Sequence, residues 1–248
     1  MAWFVMLDSR NKGEEDEAYL SPEIEIIPEE QERYDTLGRQ FSRKLFGDYK
    51  AAGKNPYDYQ LMIDDPYHPY ITPFPLPCMK QGWKWPMPNH PFRNKLKSKD
   101  GKLVDIIGTS FETYAISQKV IDIIESIEPG VHQYLPYELI QKDGTAHPDK
   151  RWLLNVCTRA ESLDYERSNV IPRRGAEHFY MDRTNDHRLV VRKEAMKNRA
   201  LWYEYRYPFG STSGNFLISD RFWDALNATG CTGWCPEHGD RGQHIKEL

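Results

Sequence analysis

The chain has 248 residues, 39% of them hydrophobic and 13% aromatic, with four cysteines and a formal net charge of -4. That length suits one large domain or two small ones and can bury a core without disulfide or metal staples, and the aromatic content argues against disorder. The longest early apolar run, Ala2–Leu7, falls far short of the roughly 20 residues of a membrane span; without a basic n-region or a small-residue cleavage site it does not read as a secretory signal.

Ala2–Leu7 reads instead as a first β-strand. Cys78, Cys157, Cys231 and Cys235 read as reduced thiols of a cytosolic protein. Charge is unevenly spread. Residues 14–35 hold ten acids and one base, Arg33, a net of -9 that leaves +5 for the rest. Such a block repels nucleic acid and anionic lipid and attracts basic partners. As structure it reads as a solvated, partly mobile loop. A basic stretch, Arg39 to Lys54, follows.

Residues 66–91 carry eight prolines among Tyr67, Tyr70, Phe74, Trp83 and Trp85. Proline fixes φ and removes a backbone donor, so an interior helix and a central strand are both excluded. The stretch reads as an extended Pro/aromatic-rich arm laid against the body of the protein, with a docking surface as the other reading. The organisation expected is an N-terminal region over 1–98, an α+β domain over 99–235 and a polar tail over 236–248.

In that domain Lys102–Ile107 reads as a strand ended by Gly108. Ser117 is placed to cap a helix whose apolar stripe is Val120, Ile121, Ile123, Ile124 and Ile127. Pro129-Gly130 stops it. Val131–Ile140 and Arg151–Cys157 read as strands, with a turn at Asp143-Gly144. A second unit imitates the first: Leu217-Ile218, a serine at 219, a helix with Phe222, Trp223 and Leu226, then Gly230. The fold class expected is α+β, mixed sheet strands with short serine-capped helices.

No strong catalytic motif appears: no G-x-x-x-x-G-K-[ST], G-x-G-x-x-G after a strand, G-x-S-x-G or H-E-x-x-H. Gly210–Gly214 lacks the lysine of a phosphate loop and reads as a flexible turn. Cys157 lies in an apolar run and reads as a buried, inert thiol. Cys231, Cys235, His238 and His244 offer thiolate and imidazole donors at short spacing. All four sit in a polar terminus with no second ligand pair, so no metal and no cofactor is expected.

One set of motifs, in order, carries a resemblance. Asp105-Ile106-Ile107-Gly108-Thr109-Ser110 comes first, then Ser117 opening a helix, then His132 in the next strand. Trp152-Leu153-Leu154-Asn155 and Leu163-Asp164-Tyr165-Glu166-Arg167-Ser168 follow, and Ser219-Asp220-Arg221-Phe222 and Cys231-Thr232-Gly233 close the series. This order resembles the immunity-protein family numbered eleven of bacterial polymorphic toxin systems. The resemblance covers roughly the C-terminal three fifths of the chain. The N-terminal third and Trp234-Cys235 depart from it.

The resemblance implies an α+β fold and a non-enzymatic, cytoplasmic protein. Its role would be to bind and neutralise a cognate toxin encoded beside it, with no part for a membrane or direct nucleic-acid binding. It carries over no catalytic residue; Asp105, Asp164 and Glu166 read as structural polar residues at strand ends and turns. Two other readings stand beside it: an enzyme built around Asp105, His132, Asp164 and Glu166, and an adaptor or chaperone that loads a toxin for secretion. Toxins that act on nucleic acids are often basic, because phosphate binding demands it. An acidic block can mimic that phosphate array, which makes Glu15, Asp16, Glu17, Glu29 and Glu30 the candidate partner contacts.

Overall fold

The computed structural model describes residues 2–6, 24–53, 84–97, 103–111, 113–172, 179–181, 189–204, 216–233, 235–236 and 245–247. The fold is α+β. Its larger sheet has six strands in the order β2 (Ile24–Glu25), β3 (Phe92–Leu96), β6 (Gln133–Ile140), β7 (Arg151–Asn155), β5 (Tyr114–Ile116) and β4 (Ile106–Gly108). The sheet is mixed: β3 and β6 run parallel and the other neighbours antiparallel. A five-stranded sheet has the order β14 (Cys235–Pro236), β1 (Ala2–Met6), β13 (Leu217–Ser219), β12 (Leu201–Glu204) and β8 (Arg159–Ala160). Two small ribbons pair β9 (Val170–Pro172) with β10 (Phe179–Met181) and β11 (Leu189–Val191) with β15 (Ile245–Glu247).

Side chains alternate across a strand, and here the alternation divides the core into layers. Ile107, Ala115, Leu135, Tyr137, Leu139 and Leu153 point to one face of the six-stranded sheet, where they meet Phe92, Phe111 and Trp85. Helix α1 (Pro28–Ala51) covers that face through Tyr34, Leu37 and Phe41. Ile106, Ile116 and Leu154 point the other way, into a second core shared with Leu201 and Ile218 of the five-stranded sheet. Two helices, α2 (Gln118–Ile127) and α4 (Asp220–Ala228), fill the space between through Val120, Ile124, Phe222 and Leu226. Beyond the five-stranded sheet, Trp202 and Leu217 pack on Ala160, Leu163 and Val191. A four-residue helix, α3 (Lys193–Met196), follows β11.

The likeness of the two units is structural. In the first, Ile106 faces Ile116 and the Ser117 N–H donates to Asp105 O at 2.8 Å. In the second, Leu201 faces Ile218 and the Ser219 N–H donates to Ala200 O at 3.0 Å. Each is an antiparallel strand pair, a serine and a helix, followed by a glycine with positive φ, Gly130 at 71° and Gly230 at 62°. The Lys119 ammonium, at the start of α2, donates to Gly230 O beyond the end of α4 at 3.2 Å. The start of one helix thus lies beside the end of the other.

Several elements differ from their sequence reading, each for a local reason. The acidic segment is not a loop over residues 28–35, because α1 begins there. Pro28 stands in the first turn, where its missing N–H costs nothing, and Glu29 and Glu30 complement the helix dipole. Ser117 occupies the N-cap position of α2 but does not cap it with its side chain. Its hydroxyl donates to Asp105 Oδ1 at 2.7 Å, a stronger, charge-assisted bond. Ser219 does cap, accepting from the Phe222 N–H at 3.3 Å. Leu103 and Val104 are not in the ladder; their carbonyls accept from the buried Arg151 guanidinium. Strand β7 stops before Cys157, whose N–H donates to His132 Nδ1 at 3.2 Å.

Candidate functional site

Of the five acids expected to meet a partner, Glu15, Asp16 and Glu17 lie outside the described residues, and Glu29 and Glu30 sit in the first turn of α1. Glu29 is exposed, as are Glu25, Glu32 and Ile26, the last at 54%. Glu30 faces inward and pairs with Arg33 at 2.7 Å. That arginine lies over the Phe92 ring at 4.7 Å from its centroid and donates to Pro91 O. The start of α1 therefore uses Glu30 to fasten the helix to β3, while Glu29 and Glu32 on the helix and Glu25 and Ile26 just before it are exposed.

Of the Pro/aromatic-rich stretch, residues 66–83 lie outside the described residues. Trp85 is buried, with its ring centroid 5.0 Å from that of Tyr34. The Gln133 side chain brackets its backbone, accepting from the Trp85 N–H at 2.8 Å and donating to its carbonyl at 2.6 Å. Met87 beside it is 58% exposed.

Asp105, His132, Asp164 and Glu166 do not form one constellation among the described contacts. Asp105 binds Ser117, Lys119 and Thr232. Burial would raise its carboxyl, but the hydrogen bonds from Ser117 and Thr232 and the Lys119 ammonium together hold it below the usual range. His132 is buried and fixed at both nitrogens, Nδ1 taking the Cys157 N–H and Nε2 facing Glu128 Oε2 at 3.1 Å. The thiol of Cys157 donates to Asn155 O, and burial pushes it up to about 12. A thiol held protonated in this way is a poor nucleophile. Asp164 accepts from the Arg167 N–H at 3.2 Å, and Glu166 is exposed.

Cys231 is half-buried beside Thr229, Cys235 lies in β14, and His238 and His244 are outside the described residues. Among the described residues no cluster of three His, Cys, Asp or Glu side chains could hold a metal ion. Nor is any described helix long and apolar enough to cross a membrane. The Gly210–Gly214 turn is also outside the described residues.

Two buried carboxylates escaped the sequence reading. Glu128 accepts from His132, from Thr158 Oγ1 at 2.6 Å and from the Ala200 N–H at 2.8 Å. It thus ties the end of one unit to the start of the other. Burial would raise it, but the His132 and Thr158 bonds win and its carboxyl is lowered. Glu204 is enclosed by Ser162, Leu163 and Tyr165, and there burial wins, raising the carboxyl. The signal for Glu204 was available: it follows Leu-Trp-Tyr in a strand and shares the Trp202 face.

These contacts also account for the ordered motifs. Thr232 of the last motif binds Asp105 of the first through its N–H at 3.0 Å and its hydroxyl at 3.2 Å, and Gly233 lies against Ile106. The Leu163–Ser168 motif is held by Glu204 and by Val190, whose N–H donates to Ser168 Oγ at 2.9 Å.

A search of curated proteins finds none that matches this chain. The model of the Immunity protein family (Imm11) matches residues 4–239. The match takes in the N-terminal third, which the motif resemblance had left out. With nearly its whole length matched, the chain belongs to the Immunity protein family (Imm11).

Proposed function

We propose that this protein binds a cognate toxin effector in the bacterial cytoplasm and neutralises it by occluding its working surface, without turnover. The observation that carries this reading is the family match over residues 4–239. A toxin encoded beside the immunity gene is the natural partner. The exposed acids Glu25, Glu29 and Glu32 around the start of α1 suit a basic toxin surface, since a negative patch steers a positive partner and fixes its register. Glu15, Asp16, Glu17, Glu29 and Glu30 are the proposed contacts.

The test is co-expression with the neighbouring toxin domain, with the affinity of the purified pair measured by calorimetry. Wild type restores growth. Lysine at all five acidic positions slows association and weakens binding, with a thermal melt to register the loss of the Glu30–Arg33 pair separately. Wild-type affinity in a folded five-site variant would overturn the acidic contact. No binding of any neighbouring toxin would overturn the function itself.

A further inference from the structure

Among the described residues, the large apolar side chains left exposed are Ile26, at 54%, and Met87, at 58%. A lone exposed apolar residue is ordinary on a protein surface, but these two lie in segments that Arg33 ties together. Its guanidinium pairs with Glu30 in the first turn of α1 and donates at 2.6 Å to Pro91 O, which ends the segment 84–91. The next residue of the helix, Tyr34, packs its ring on Trp85 of the same segment.

Both segments are fixed to the body of the protein. In 84–91 the Trp85 ring is buried, and the Gln133 amide brackets the Trp85 backbone and donates to Met87 Sδ at 3.6 Å. The Lys84 ammonium donates to Gly130 O at 2.9 Å. Pro86 and Pro88 flank Met87 with φ fixed by their rings, so the chain there has little backbone freedom left to lose on binding. Pro86, Met87, Asn89 and His90 are exposed, and residues 84–91 contain no carboxylate. Ile26 follows β2, whose Ile24 and Glu25 pair with Leu96 and Lys95. It precedes Ile27, whose carbonyl accepts from the Glu30 and Gln31 N–H groups at 3.0 Å. Ile24 and Ile27 are half-buried while Ile26 is exposed, in the same stretch of chain as the exposed Glu25, Glu29 and Glu32. Apolar anchors bordered by polar groups are the usual anatomy of a protein interface.

We propose that Ile26 and Met87 are apolar anchors of the toxin interface, seated in apolar pockets of the toxin beside the surface that meets the acids of α1. The proposal rests on the proposed toxin-binding function and names the part of that interface that charge does not supply. It is tested by calorimetry on the full chain and the neighbouring toxin domain, at low and at high salt. Ile26→Ala combined with Met87→Ala should weaken binding at least about tenfold and leave the melt unchanged, because both side chains are exposed. The negative heat-capacity change of binding should shrink, since less apolar surface is buried. The ratio of variant to wild-type Kd should hold from low to high salt, whereas the effect of lysine at the acidic positions should fade as salt rises.

Wild-type affinity in the folded double variant overturns the proposal and leaves toxin binding intact. A weakening that high salt abolishes also overturns it, because the lost contact would then be electrostatic. Failure of the unsubstituted chain to bind removes the function, and the proposal with it. Should the double variant melt early, Met87→Gln decides alone: it keeps the length of the side chain and removes its apolar end, and wild-type affinity there overturns the proposal.

Discussion

Gly233→Ala is the sharpest test of how the two ends of the domain are joined. Gly233 has φ of 89°, and a Cβ there would stand 2.3 Å from Ile106 O, 3.1 Å from Ile106 N and 3.1 Å from Val104 Cγ2. The left-handed backbone alone costs an L-residue about 1–2 kcal/mol. The contact with Ile106 O cannot be relieved by a rotamer, because both atoms belong to fixed positions. Relief requires Thr232 to leave Asp105 and Ile106, to which it is held by its N–H at 3.0 Å and its carbonyl at 3.2 Å. Each lost bond costs about 1 kcal/mol, more where the acceptor is charged. The whole penalty is therefore about 3–5 kcal/mol. Gly230 supplies the control: its φ is 62°, but nothing lies within 4 Å of its Cβ position. Gly230→Ala should cost about 1–2 kcal/mol. Urea denaturation of both variants, read from the midpoint at constant slope, measures the difference. Equal costs would show that Gly233 is kept for its backbone alone and that the close approach to Ile106 relaxes freely.

The other predictions concern the core and its two carboxylates. Ile124 is fully buried between the sheets, so Ile124→Ala should cost about 2–5 kcal/mol in the same assay; a loss under about half a kcal/mol would mean the site collapses around the smaller residue. Glu128→Ala strands donors from His132, Thr158 and Ala200 and should cost about 3–5 kcal/mol, as expected when one partner of a buried pair is removed; a near-neutral effect in the denaturation midpoint would refute its bridging role. The two acids should also pull stability in opposite directions with pH. Glu128 is lowered in the fold, so its contribution is present above the ordinary value of 4.5 and is lost as pH falls through the folded value. Glu204 is raised, so its contribution is present below 4.5 and is lost as pH rises through its folded value. Melts taken from acid to neutral pH should therefore show Glu204→Gln gaining on wild type as pH rises, and parallel curves would refute the raised carboxyl.

The sequence by itself determined several local elements of the C-terminal part, the two serine-led helices and strands β6, β7 and β13 among them. The stripe from Val120 to Ile127 marked α2, the run from Ser219 to Leu226 marked α4, Pro129-Gly130 marked the end of α2, and Asp143-Gly144 marked the turn between β6 and β7. These are patterns of a few residues, and the physics behind them is equally short-ranged: helical periodicity, chain reversal and proline stereochemistry. Helix α1 was missed and read as loop: Pro28 and the spacing of Tyr34, Leu37 and Phe41 mark it, but the surrounding charge obscured them. Only the tertiary structure decided the rest. That β1 lies between β13 and β14 follows from pairing across the length of the chain, which no local pattern encodes. Whether Ser117 caps its helix or serves Asp105 depends on a carboxylate brought beside it by the sheet. The sequence does not name the partners of Asp105, Glu128 and Glu204. Each becomes a tie between distant segments because its donors, Thr232, Ala200 and Ser162 among them, converge on it only after the layers have packed.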